Sequence, residues 1–300
     1  MDNSPKMNQE HVYLDLLRDI LTNGEERQDR TGTGTLSVFG RQVRFNISES
    51  IPVLTTKKVA YEKVIQELLW FLRGSTNAKE LQNVGVHIWN GNSSRVYLDS
   101  RGLSHLPEGD IGAGYGFQWR NFGGVYKNCN TPPDSPGFDQ IKFVIDELKT
   151  NPTSRRIFFS SWNPIAMEQM ALPPCHVSAQ FYVSVCKEGK QHLSCHMYQR
   201  SVDTFLGFPW NMISYSVLTH ILATLTGMKA KELIVSTGDT HIYLNHINQV
   251  QLQLQREPYN FPTIVVNEAI KDKDISEIDI TDIQINGYVS HSFIGAKMSV

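Results

Sequence analysis

The sequence predicts an α+β fold in which a mostly antiparallel or mixed β-sheet is covered by helices. Three observations carry that prediction. Residues 60–73 keep a strong helical period, residues 177–197 switch to strict alternation around a polar turn, and no regular βαβ alternation links the two kinds of segment.

In chain order, His11 to Thr22 reads as the first helix, with Val12, Leu16 and Ile20 on one stripe and Gly24 after it. Leu36 to Ile47 reads as strand, because Val43, Phe45 and Ile47 alternate with polar residues. Ala60 to Arg73 is the clearest helix, and Gly74 stands where a left-handed cap is expected. Phe138 to Lys149 repeats its pattern. Val177 to Val185 and Leu193 to Met197 alternate as strands, with Lys187–Lys190 as the hairpin turn. Asn211–Thr226 and His241–Arg256 return to helical spacing, and Thr263–Val266 and Asp282–Ile285 read as closing strands. Residues 131–137, with three prolines, read as a surface loop.

The 300 residues are 40% apolar and 19% charged, ordinary for a chain with a substantial core. With no repeat, linker or composition shift, residues 11–300 are expected to form one domain and residues 1–10 a flexible tail. The net charge of −2 offers no basic field for nucleic acid, so an anionic ligand needs local arginines. No apolar run approaches the ~20 residues of a membrane span, and residues 1–11 do not read as a targeting segment. A cytoplasmic protein is expected. The four cysteines, at 129, 175, 186 and 195, form no Cys-x-x-Cys pair, so a zinc site is not expected.

Residues 30–35 and 112–116 are glycine-rich but match neither a P-loop nor a dinucleotide-binding pattern, and read as turns. Cys175 follows Pro173-Pro174 in a rigid loop before a strand. The local residues fit a buried packing thiol and a nucleophile equally; a nucleophile needs a cation nearby. Arg155-Arg156 and Arg200, followed by Ser201, fit either a solvated face or bidentate capture of phosphate. Glu67 on the apolar helix fits a solvent-facing residue, or an inward one suited to proton relay. His241 and Tyr243, placed at the opening of a helix, fit sugar contacts or plain packing.

Together, residues 29–35 (DRTGTGT), 67–71 (ELLWF), 115–120 (YGFQWR), 172–176 (LPPCH), 198–201 (YQRS) and 238–243 (GDTHIY) resemble the thymidylate synthase family. They occur in that family's order over nearly the whole chain. At this length the chain resembles the monofunctional form. The resemblance implies a homodimer packed through its sheet that methylates deoxyuridylate (dUMP) with 5,10-methylenetetrahydrofolate, without a metal. It further implies that Cys175 attacks uracil C6, since C5 is a poor nucleophile until a thiolate has added. Arg200, Arg30 and Ser201 would hold phosphate, with Arg155 and Arg156 reaching across from the partner subunit. Glu67, Tyr115 and His176 would manage protons at O4 and C5, Asn211 would read the pyrimidine, and His241 and Tyr243 would hold the ribose 3′-hydroxyl. On the folate side, Trp89 and Asp203 match pterin contacts, Lys57 the glutamyl tail, and Val300 the C-terminus that closes over the site.

The chain departs from that pattern at Asn90, usually acidic, at Ala113-Gly114, at Val202, and at Trp210, where phenylalanine is usual. A deoxycytidylate (dCMP) hydroxymethylase would share the cysteine chemistry, but such enzymes carry aspartate where this chain has Asn211.

Overall fold

The computed structural model describes residues 8–132 and 135–299. Val300, residues 1–7 of the expected tail, and residues 133–134 of the 131–137 loop lie outside the described residues. Residues 8–10 are not a tail. Asn8 donates to the Tyr259 carbonyl at 2.7 Å. Glu10 is fully buried and accepts from the backbone N–H and hydroxyl of both Thr55 and Thr56.

Among the described residues, six strands form one mixed sheet in the order β1-β2-β6-β5-β4-β3. They are β1 (Glu25–Arg27), β2 (Thr35–Asn46), β3 (Phe158–Ser160), β4 (His176–Val185), β5 (Gln191–Asp203) and β6 (Lys229–Tyr243). Only the β5–β6 pair is parallel; the other neighbours run antiparallel. The 263–266 and 283–286 segments pair as a separate two-stranded sheet, β7 (Thr263–Val266) and β8 (Ile283–Asn286).

The helices are α1 (Glu10–Asn23), α2 (Tyr61–Leu72), α3 (Ala78–Asn83), α4 (Arg95–Ser100), α5 (Tyr115–Asn121), α6 (Gln140–Thr150), α7 (Gly207–Leu225) and α8 (Ile247–Leu254). Helix α2 ends as expected: Gly74 takes φ +74° and its N–H closes on the Phe71 carbonyl at 2.9 Å. Helix α7 is apolar nearly all round and packs against α2, β5 and β6, so it forms the buried centre of the molecule. The opposite sheet face, carrying Arg44, Gln180, Tyr182, His196 and Tyr198, is exposed.

One expected helix is corrected. Residues 241–256 do not form a single helix: His241 and Tyr243 end β6, residues 244–246 make a 3-10 turn, and α8 starts at Ile247. Strand β6 lies between β2 and β5, with both edges hydrogen-bonded, and much of both its faces is covered. A strand covered on both faces loses the polar alternation that marks it in sequence. Likewise β5 runs on past Met197 to Asp203, which places Arg200, Ser201 and Asp203 on a strand.

Candidate active site

Cys175 sits at the junction of two connected lobes of a surface cleft. One lobe, about 440 Å³, is lined by Arg30, Arg200, Ser201, Asp203, His241 and Tyr243. The other, about 250 Å³, is walled by Glu67, Trp89, Tyr115, His176, Trp210 and Asn211. Leu172, Cys175, Ser201, Asp203, Tyr243 and Ser299 line both.

The loop before β4 is held from both sides. The Arg200 guanidinium donates to the carbonyls of Pro174 (2.7 Å) and Pro173 (3.0 Å), and its backbone N–H donates to the Cys175 carbonyl at 2.9 Å. The Cys175 N–H in turn donates to the Tyr115 hydroxyl at 2.7 Å. Prolines cannot donate, but their carbonyls accept well, so Pro173-Pro174 makes a stiff anchor for a charged partner. Burial pushes the Cys175 thiol up, while the charges of Arg200 and then Arg30 oppose it. The cation that a nucleophilic reading requires is present.

Glu67 faces inward. It is 5% exposed, and its two carboxylate oxygens accept from the indole N–H groups of Trp89 (2.7 Å) and Trp210 (2.6 Å). Burial lifts its carboxyl to about 7 against those two hydrogen bonds. The surrounding stretch Leu68–Leu72 is buried all round, so periodicity could not separate an inward glutamate from an outward one. His176 is buried, stacks on Tyr115 with ring centroids 4.2 Å apart, and shares a 2.8 Å hydrogen bond with the Tyr215 hydroxyl. Burial drives it down to about 3, so it is neutral.

Asn211 lies in the first turns of α7, where its side-chain oxygen accepts from Gln199 Nε2 at 2.8 Å. His241 Nδ1 pairs with Asp239 at 2.9 Å, and Ser37, opposite His241 in the β2–β6 register, donates to the same carboxylate oxygen. Arg30 is exposed in the turn after Asp29, whose carboxylate accepts from the Thr31 and Gly34 N–H groups.

Lys57 lines neither lobe, and Arg155 and Arg156, expected to serve the partner subunit's site, stand outside this chain's own cleft. Both arginines are exposed beside edge strand β3. Lys57, expected at the glutamyl tail, is packed inward: the residue is 5% exposed, donates to the Phe205 carbonyl, and holds its ammonium 3.4 Å from the Phe205 ring centroid. Burial lowers it to about 7. The side chains of Thr55 and Thr56 turn in toward Glu10 and carry the segment with them.

Sequence reasoning missed Gln199, Asn92 and Asp239. Gln199 is buried beside the assigned Arg200, and its inward position follows from strand alternation once β5 is extended. Asn92, buried with an unpartnered Nδ2 in the wall, sits in an irregular loop with no signal in sequence. Asp239 became legible only when residues 238–243 proved to be strand.

A thymidylate synthase family profile matches residues 11–300. The chain is 49% identical over 292 residues to a bifunctional dihydrofolate reductase-thymidylate synthase of Paramecium tetraurelia, covering 97% of this chain and 62% of the relative. It is 47% identical over 300 residues to the bifunctional protein of Zea mays (99% and 56%) and 49% to that of Glycine max (99% and 55%). The chain thus spans between 55% and 62% of the length of these relatives. A match from residue 11 to the C-terminal residue, around a cleft of this make-up, places the chain in the thymidylate synthase family.

Proposed function

We propose that this cleft converts deoxyuridylate to thymidylate, with Cys175 as the nucleophile. The observation that carries the reading is Cys175 at the meeting point of an arginine-lined lobe and an indole-walled lobe. A nucleotide phosphate belongs in the first and a flat folate ring in the second.

The chemistry follows from the residues. As Cys175 Sγ bonds to uracil C6, the thiol proton is lost to solvent and the C5–C6 π pair moves to C5 and O4. Arg30, Arg200 and Ser201 hold the phosphate, which places C6 over the sulfur. Gln199 fixes the Asn211 amide with its oxygen shared and its Nδ2 free to donate to O4, while the oxygen's second lone pair accepts N3–H. A cytosine ring reverses both groups and leaves buried partners unpaired, at a cost of ~1–3 kcal/mol. Glu67, with Tyr115 and neutral His176 behind it, accepts and returns protons at O4 and C5. Its carboxyl near 7 suits both directions at neutral pH.

The second lobe fits a reduced pterin: flat aromatic walls, Asp203, and the unpartnered buried Asn92 Nδ2 supply shape and a few polar contacts. When bound, 5,10-methylenetetrahydrofolate supplies the one-carbon unit and the hydride, and leaves as dihydrofolate. Trp89 and Asp203 line its lobe.

The reading includes a homodimer. The uncovered sheet face carries Tyr182 at 69% and Phe158 at 44% exposure, apolar surface that a second copy would bury. Arg155 and Arg156 lie beside Phe158 at the edge of that face and would enter the partner's phosphate lobe. The test is covalent trapping with 5-fluorodeoxyuridylate and the folate, read by mass spectrometry. Wild type is expected to form the adduct and Cys175→Ala none. An adduct on Cys175→Ala, or faster turnover of deoxycytidylate than of deoxyuridylate, overturns the assignment.

A further inference from the structure

Glu67 is bracketed by two groups that can only donate. An indole N–H neither accepts nor titrates in water, so a carboxylate between two of them is presented with matching donors on both oxygens. The two indoles come from different parts of the fold. Trp89 lies in the segment between α3 and α4, and Trp210 in the first turns of α7, one residue before Asn211. The Trp210 contact is the shorter, at 2.6 Å. Phenylalanine, usual here in the family that the sequence resembles, fills a similar space but has no N–H.

We infer that Trp210 is a positioning residue for Glu67: its indole N–H fixes the plane of the carboxylate and favours its charged form against burial. This rests on the proposed role of Glu67 as proton carrier and adds the residue that sets its protonation. A hydrogen bond to a charged acceptor favours the charged form, so removing one donor lets burial win by a further margin. The other titratable groups of this lobe are Tyr115 on α5, Cys175 and His176 at the start of β4, Asp203 on β5 and Tyr243 on β6. Burial holds the Tyr115 phenol well above its usual range and His176 down at about 3, so neither exchanges a proton near neutral pH. Tyr243 is pushed up to about 12. Trp210 and Asn211 are adjacent on α7, so one helix presents the indole to Glu67 and the amide to the same lobe.

The test follows the carboxyl itself, independently of turnover. Infrared difference titration of the wild type should show a protonated-carboxyl band that is absent in Glu67→Gln. In Trp210→Phe the midpoint of that band should move up by about one pH unit, and the acid limb of kcat should move with it. An unmoved band overturns the inference even in a fully active enzyme. If Trp210→Phe does not fold, ¹⁵N–¹H spectra of the wild type decide. The Trp89 and Trp210 indole resonances should titrate with one midpoint and lose that titration in Glu67→Gln; a flat Trp210 resonance overturns the inference. Absence of deoxyuridylate turnover in the wild type, with the infrared shift intact in Trp210→Phe, would count against the proposed reaction and leave the clamp standing.

Discussion

Replacing Lys57 by methionine should stabilise this protein at neutral pH, and the gain should vanish as pH rises. An ordinary lysine titrates near 10.5, whereas burial holds this one near 7, with the charges of Asp203 and Glu10 pulling back only in part. Keeping the ammonium inside below pH 7 therefore costs on the order of 5 kcal/mol as an upper bound. Methionine removes that cost, keeps the length of the side chain, and loses one charge-assisted hydrogen bond to the Phe205 carbonyl, about 2 kcal/mol. The expected net gain at pH 7 is roughly 1–3 kcal/mol.

The pH dependence has a definite sign. Between pH 7 and 10.5 the unfolded chain keeps the Lys57 proton and the folded chain releases it. Wild-type stability therefore climbs by about 1.4 kcal/mol per pH unit from this group alone. Methionine cannot follow, so the gap between variant and wild type should close by roughly 2–3 kcal/mol between pH 7.5 and 9.5. Urea denaturation of both proteins at one fixed concentration measures it, since the difference cancels every other titrating group. A gap that stays constant with pH would refute the buried-ammonium argument. So would unchanged stability together with a tenfold weaker grip on a glutamate-tailed folate, which would restore Lys57 to the surface role implied by the family resemblance.

Other outcomes follow from the same structure. Gly112 takes φ +73°, and a Cβ there would lie 1.9 Å from the Gln169 carbonyl oxygen; Gly112→Ala should cost ~3 kcal/mol or more and displace Tyr115, read as a lower midpoint in thermal unfolding together with a fall in kcat. Mixing Arg156→Glu and Cys175→Ala chains should give heterodimers with one intact site and about half the wild-type rate. Purified heterodimers without turnover would rule out arginines shared across subunits.

Much of this protein is written in its residue order. Alternation around the Lys187–Lys190 turn and the stripe of α2 with Gly74 after it follow from local burial and backbone chemistry, and α7 from an apolar run long enough for a buried helix. The spacing of short motifs around Cys175, Arg200 and Asn211 carried the chemistry. What residue order could not decide were the positions whose environment is assembled by distant segments. Strand β6 is covered on both faces, which erases its period, so His241 and Tyr243 read as helix. Glu67 and Lys57 are both charged residues near apolar stretches. One points at two indoles, from the segment after α3 and from α7, and the other into the protein under Phe205, and only packing distinguishes them. The desolvation that lifts one carboxyl to about 7 and lowers one ammonium to about 7 belongs to the folded interior, because no neighbour in sequence supplies it.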